Sequence, residues 1–80
     1  MITLDIHYFG MVAEETGKER EELQIEIGTT ANELKALLNE HYPGLLRFPF
    51  RIAVNQNLVD DSYAIRTSSE IALLPAFAGG

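Results

Sequence analysis

One stretch of the chain, Thr30 to Tyr42, carries both a start and a stop signal for a long helix. Thr30-Ala31-Asn32-Glu33 matches a capping box, in which the threonine hydroxyl accepts from an early backbone N–H while the glutamate reaches back. Leu34, Leu37 and Leu38, with Ala31 and His41, recur at helical spacing and give one apolar stripe. Pro43-Gly44 halts the helix at or before Tyr42. A helix with one apolar stripe is stable only where that stripe is buried, so the remaining residues must supply a surface to receive it.

Those residues read as short strands. Ile2, Leu4, Ile6 and Tyr8 alternate with Thr3, Asp5 and His7, the period of a half-buried strand. Gly10 ends it, and Met11 to Glu15 has room only for a short helical segment before Gly17. Leu23, Ile25 and Ile27 then face inward against Glu22, Gln24 and Glu26. After the long helix, residues 45–50 contain Pro49 and read as a loop or irregular edge. Ile52 and Val54 mark a third strand, Asn55-Gln56-Asn57 a turn, and Leu58-Val59 a very short return strand. Asp60-Asp61-Ser62 breaks the pattern, and Thr67-Ser68-Ser69-Glu70 is a turn into Ile71-Ala72-Leu73-Leu74. That last strand is apolar on both faces, which suits the middle of a sheet.

Strand, strand, helix, strand, short strand, strand is the order of an α+β β-grasp fold, the ubiquitin-like architecture. It has a mixed sheet, one main helix on one face, and the first and last strands paired centrally. The expected organisation is a β-grasp domain over residues 1–75 and an extended, flexible tail over residues 76–80.

Composition narrows the chemistry. An 80-residue chain has a modest core, and with no cysteine it has neither a disulfide nor a thiolate metal site to reinforce it. His7 and His41 are the only imidazoles, so a metal site would be carboxylate-rich, and none is expected. Twelve acidic against six basic residues, a net charge of −6, oppose the phosphate affinity of a nucleic-acid binder. Glu14, Glu15, Glu19, Glu21, Glu22 and Glu26 form either a solvated face or a steering field for a basic partner. No apolar run of about 18 residues and no secretory signal is seen, so the expected address is the cytoplasm, away from membranes. Glycine-rich phosphate loops, nucleophile elbows and metal-ligand pairs at helical spacing are missing too, so the chain is not expected to be an enzyme on its own.

The informative residues are Pro75-Ala76-Phe77-Ala78-Gly79-Gly80. A tail that leaves a buried strand behind a proline projects from a fixed point. Beyond Phe77 it carries no bulky group, so its end fits a channel that larger side chains would block, and glycine follows irregular paths closed to other residues. What it delivers is the α-carboxylate of Gly80, which is inert until adenylated. A thiol or persulfide can then attack the unhindered carbonyl. Gly80 is therefore the candidate reactive position, with Gly79 and Ala78 giving access.

In these features the chain resembles the small, sulfur-carrying subunit of molybdopterin synthase, a family within the ubiquitin-like folds. Tyr8-Phe9-Gly10, Ala53-Val54-Asn55-Gln56, and Glu70-Ile71-Ala72-Leu73-Leu74-Pro75 leading to Ala78-Gly79-Gly80 carry the likeness, in order and over the whole chain. The resemblance implies adenylation of Gly80 by an enzyme of the ubiquitin-activating type. ATP is used by that partner, and no cofactor is held by this chain. Conversion to a thiocarboxylate with a sulfur-donor protein would follow. It also implies insertion of the tail into the large subunit of a heterotetramer, where the sulfur builds the dithiolene of molybdopterin from a cyclic pyranopterin. The chain departs from the family pattern at Ala13, where a basic residue is common, and at Ala76 and Phe77, where a second proline and a β-branched residue are usual. Thiamine-pathway and other sulfur carriers share the tail, as do ubiquitin-like modifiers attached to lysines. Both remain alternatives.

By strand parity Phe9, Ala53 and Leu74 face away from the helix. An uncovered face with apolar groups at the root of the tail reads as a partner surface, with Phe9, Leu74, Pro75 and Phe77 as its contacts. The competing reading has residues 45–50 folded over that face.

Overall fold

In the computed structural model of the chain, which describes residues 1–47 and 49–75, β1 (Ile2–Tyr8) has the strict in–out burial that its alternation predicts. Leu4 and Ile6 are sealed from solvent, while Asp5 and His7 are half-buried on the opposite face. A short helix α1 (Gly10–Thr16) follows and ends on Gly17, whose φ of 75° supplies the left-handed C-cap. The antiparallel partner β2 (Arg20–Ile25) returns along β1, with Ile2 opposite Ile25 and His7 opposite Arg20.

The capping box forms as its residues require. Glu33 N–H donates to Thr30 Oγ1 at 3.1 Å, and Thr30 N–H donates to Glu33 Oε1 at 2.9 Å. Here β3 (Thr29–Thr30) runs straight into the long helix α2 (Ala31–His41). Two further N–H groups of its first turn, on Ala31 and Asn32, donate to the carbonyls of Tyr63 and Asp61. The helix start is thus satisfied by side chain and backbone together. Ala31, Leu34 and Leu38 are buried from the apolar stripe.

After α2 a 3₁₀ turn (Pro43–Arg47) drops Leu45 into the core. A Cβ on residue 44 would meet only the Glu15 carboxylate, the far end of a flexible side chain. The chain continues through β4 (Phe50–Val54), β5 (Asn57–Leu58), β6 (Ala64–Ile65) and β7 (Ser69–Pro75). Asn55 and Gln56 both have positive φ, 48° and 72°, at the two-residue turn joining β4 to β5.

The main sheet has the order β2-β1-β7-β4-β5, with β1 and β7 parallel at its centre and every other pairing antiparallel. β3 and β6 form a separate two-stranded pair. Central parallel terminal strands with one main helix on one face make this a β-grasp fold. Leu4, Ile6, Ile52, Ile71 and Leu73 from the sheet and Leu34 and Leu38 from α2 are its fully buried centre.

Three expectations need correction. Ile27 is 60% exposed instead of inward, because β2 ends where β1 begins and residue 27 has no strand beside it. Ser69 and Glu70 belong to β7 and not to a turn, since Leu4 and Asp5 pair with them. Pro75 is part of β7, opposite Phe50, so the strand runs one residue further than expected. The competing placement of residues 45–50 over the opposite face is not seen among its described residues: the 3₁₀ turn through Arg47 packs with α1 and α2, and Phe50 opens β4. The expected tail, residues 76–80, lies outside the described residues.

Candidate functional site

The sheet has one face under α2 and one that carries no helix. Register fixes what the second face displays. Across its middle run Arg20, His7, Ala72, Ala53 and Leu58, one from each strand. Beside this row lie Glu22, Asp5 and Glu70 on one side, and Leu74 with Arg51 on the other. The face is therefore charged toward β2 and largely apolar toward β4 and β5. Leu58 is 53% exposed at its edge, whereas the small Ala53, between Ala72 and Leu58 in register, is buried.

The apolar part includes the last residues before the tail. Leu74 and Pro75 are both half-buried at the end of β7. Phe9, 46% exposed, is the extended N-cap residue of α1. Gly10 brings the two segments together: its φ is +54°, and a Cβ there would lie 3.4 Å from Pro75 Cγ. The corner between β1 and α1 thus abuts Pro75, the last described residue of the chain. The predicted contacts Phe9, Leu74 and Pro75 share this end of the sheet, while Phe77, Ala78, Gly79 and Gly80 lie outside the described residues.

Next to this corner is an open depression of about 510 Å³ lined by His7, Tyr8, Phe9, Gly10, Ala13, Glu19 and Arg20. Ala13, one of the departures from the family pattern, is part of its wall. A lysine or arginine there would add a positive charge beside Glu19.

Two ionic groupings flank the site. Arg20 donates to both oxygens of Asp5, at 2.7 Å from Nε and 3.0 Å from Nη2. The Arg20 hydrogen bonds hold the Asp5 carboxyl below its ordinary range, with a smaller contribution from His7. His7 Nε2 lies 3.1 Å from Asp5 Oδ2 and 3.8 Å from Glu70 Oε2. These three side chains are the described residues that come together as potential cation ligands. In the second grouping Glu21 accepts from the hydroxyls of Tyr8 and Tyr42, and from Lys18 Nζ at 3.0 Å. Burial raises the Glu21 carboxyl, but these donors outweigh it and the net shift is downward. Burial and the neighbouring Glu21 charge push the Tyr8 phenol upward.

His7 is in contact with carboxylates, so it is not arranged as a base beside a nucleophile. Sequence reasoning missed Gly10 as a neighbour of Pro75. Its only local signal is a glycine at a strand end, and the contact itself spans 65 positions in sequence.

The sequence profile of the ThiS family matches residues 6–80. The chain belongs to the ThiS family. Among relatives of this ThiS-family chain, the molybdopterin synthase sulfur carrier subunit of Mycobacterium tuberculosis is 35% identical over 83 residues, covering 100% of both chains. Small archaeal modifier protein 1 of H. volcanii superposes with a TM-score of 0.82 at 18% identity, covering 96% of this chain and 100% of that one. The protein–protein complex of subunits 1 and 2 of molybdopterin-converting factor from Helicobacter pylori contains a chain that matches with a TM-score of 0.65. That chain is 24% identical, with 99% of this chain and 100% of that one covered. The two structural likenesses establish the shared fold. No helix among the described residues is long and apolar enough to cross a membrane.

Proposed function

We propose that this chain is the sulfur-carrying small subunit of a molybdopterin synthase. The observation that carries the reading is 35% identity, over 100% of both chains, to a molybdopterin synthase sulfur carrier subunit, in a sequence where Ala76-Phe77-Ala78-Gly79-Gly80 follows the central strand β7. A Gly80 carboxylate oxygen attacks the α-phosphorus of ATP on an activating enzyme, and diphosphate leaves. A persulfide on a donor protein then adds to the acyl carbon and expels AMP, and a second thiol attacks the donor's sulfur in the resulting acyl disulfide, forming a disulfide and releasing a thiocarboxylate on Gly80. Gly79 and Ala78 keep the approach narrow while the tail enters the large subunit. There the sulfur passes to the cyclic pyranopterin.

In this scheme the chain binds no cofactor and performs no catalysis alone. Its body docks through Phe9, Leu74 and Pro75 at the apolar end of the uncovered face, with Phe77, outside the described residues, as a further contact.

Mass spectrometry of the protein from its native cell tests the proposal. The intact chain gains about 16 Da when sulfur replaces one oxygen, and the gain maps to the C-terminal peptide. Removing Gly79 and Gly80 abolishes sulfur transfer and leaves the denaturation midpoint unchanged, because a terminal tail adds little to the core. Cofactor synthesis by the truncated chain would overturn the reading. The likeness in fold to a small archaeal modifier protein supports a second reading, attachment to lysines. Isopeptide adducts of Gly80 on other proteins, with no thiocarboxylate, would favour it.

A further inference from the structure

We infer that Asp5, His7 and Glu70 form a binding site for a first-row divalent cation, with zinc as its occupant, on the uncovered face of the sheet. The three ligands are one imidazole nitrogen and two carboxylate oxygens, a donor set suited to zinc. Their ligating atoms all lie within 4.8 Å of one another.

Spacing is the first argument. A zinc ion held at about 2.1 Å separates neighbouring ligand atoms by about 3.0–3.4 Å in octahedral or tetrahedral geometry. His7 Nε2 stands 3.1 Å from Asp5 Oδ2 and 3.8 Å from Glu70 Oε2. Rotation of Glu70, the most exposed of the three at 48% of its side chain, closes the wider edge.

The backbone is the second argument. Asp5 and His7 are two apart on β1 and share one face, and Glu70 is opposite Asp5 on β7. These are the two central strands, so the ligands rise from the part of the sheet with a strand on either side. A site on such elements is held more firmly than one on loops. Because all three ligands come from one side, the remaining coordination positions stay open to water.

Charge is the third. With His7 neutral, Asp5, Glu70 and the registered Glu22 place three negative charges here against the single positive charge of Arg20. Asp5 Oδ2 meets Arg20 Nη2 and is hydrogen-bonded to His7 Nε2 at 3.1 Å, so a metal between His7 and Asp5 takes the place of that hydrogen bond while Arg20 keeps its hold on the carboxylate. Arg20 then orients the ligand, as hydrogen-bond donors behind metal-bound carboxylates commonly do.

Zinc titration of the untagged full chain, followed by the imidazole signals of its two histidines, tests the assignment. His41, at the end of α2, is the internal control. The expected result is a saturable, one-to-one shift of the His7 ring signals with those of His41 unmoved. Affinity should fall about tenfold or more in each of His7→Gln and Glu70→Gln. His7 signals that stay fixed to millimolar zinc, equal shifts at His41, or unchanged affinity in either variant would overturn it. None of these outcomes depends on sulfur transfer, so the site stands or falls separately from the proposed function.

Discussion

The two faces of the main sheet are made from the same five strands, yet they solve different problems. Under α2, Leu4, Ile6, Ile52, Ile71 and Leu73 present an unbroken apolar surface that Leu34, Leu38 and Leu45 close. On the other face the strands alternate to Asp5, His7, Glu70 and Arg20 at one side and to Ala72, Ala53 and Leu74 at the other. The covered face holds the fold together, and few substitutions there are neutral. The uncovered face is free to vary, and its arrangement, charged near β2 and apolar at the tail root, suits recognition more than stability. The first tests of this division compare Leu38 with Leu74.

Leu38→Ala should have the largest effect on stability. Leu38 is 1% exposed, and removing a buried leucine side chain costs about 2–5 kcal/mol. For a domain of this size that is a large fraction of the total, on the order of 0.1 kcal/mol per residue. Urea denaturation should show a strongly lowered midpoint. Leu74→Asp behaves in the opposite sense. Leu74 is half-buried on the uncovered face, so the midpoint should move little. Affinity for the large subunit should nevertheless fall about tenfold or more, as expected when a charge enters the apolar core of an interface. If Leu74→Asp unfolds the domain as readily as Leu38→Ala, the proposed division between the faces is wrong.

Gly10 and Gly17 sharpen the comparison at the tail root. Both have positive φ, +54° and +75°, so alanine at either position strains the backbone by about 1–2 kcal/mol. Their surroundings differ. A methyl on residue 10 meets Pro75 Cγ at 3.4 Å, whereas one on residue 17 meets nothing within 4 Å. Gly10→Ala and Gly17→Ala should therefore lower stability by similar amounts. On the proposed function, only Gly10→Ala should also slow thiocarboxylate formation, because its methyl meets Pro75, the last described residue before the Gly-Gly segment. Equal rates for the two variants would remove Gly10 from any positioning role.

How much of this was legible in the sequence follows from the range of each signal. The capping box at Thr30 and Glu33, the Pro43-Gly44 stop and the alternation of residues 2–8 are local, and all three are realised. The turn-like composition of Thr67 to Glu70 misled because pairing with Leu4 and Asp5 overrides local preference. Ile27 continues the apolar period after its partner strand has run out. The pairing of β3 with β6 joins two residues to two others some 35 positions away, too little sequence for any period to show. At the site, the alternation of Asp5 and His7 placed them together on one face, but Glu70 joins them only through the parallel register of β7. The proposed carrier segment, residues 76–80, was read from composition and resemblance, and Pro75 before it acquired a neighbour, Gly10, only when the chain folded.

The smallest expected effect tests how the acidic stretch contributes to the covered side. Glu21 accepts from Tyr8, whose ring lies in the core, from Tyr42 just beyond α2, and from Lys18. Its carboxyl is depressed in the folded state relative to its ordinary value of 4.5. A group depressed by folding adds stability above its unfolded value and loses it as pH falls through the folded value. The wild-type chain should therefore lose stability on acidification below about pH 4.5 more steeply than Glu21→Gln, which has no proton to take up. At neutral pH the variant should be less stable, because two tyrosine hydroxyls and Lys18 lose a charged acceptor. The difference between the two curves should narrow toward low pH. A constant offset from pH 7 to pH 3 would mean that the Glu21 charge contributes nothing and that the tyrosines need only a neutral acceptor.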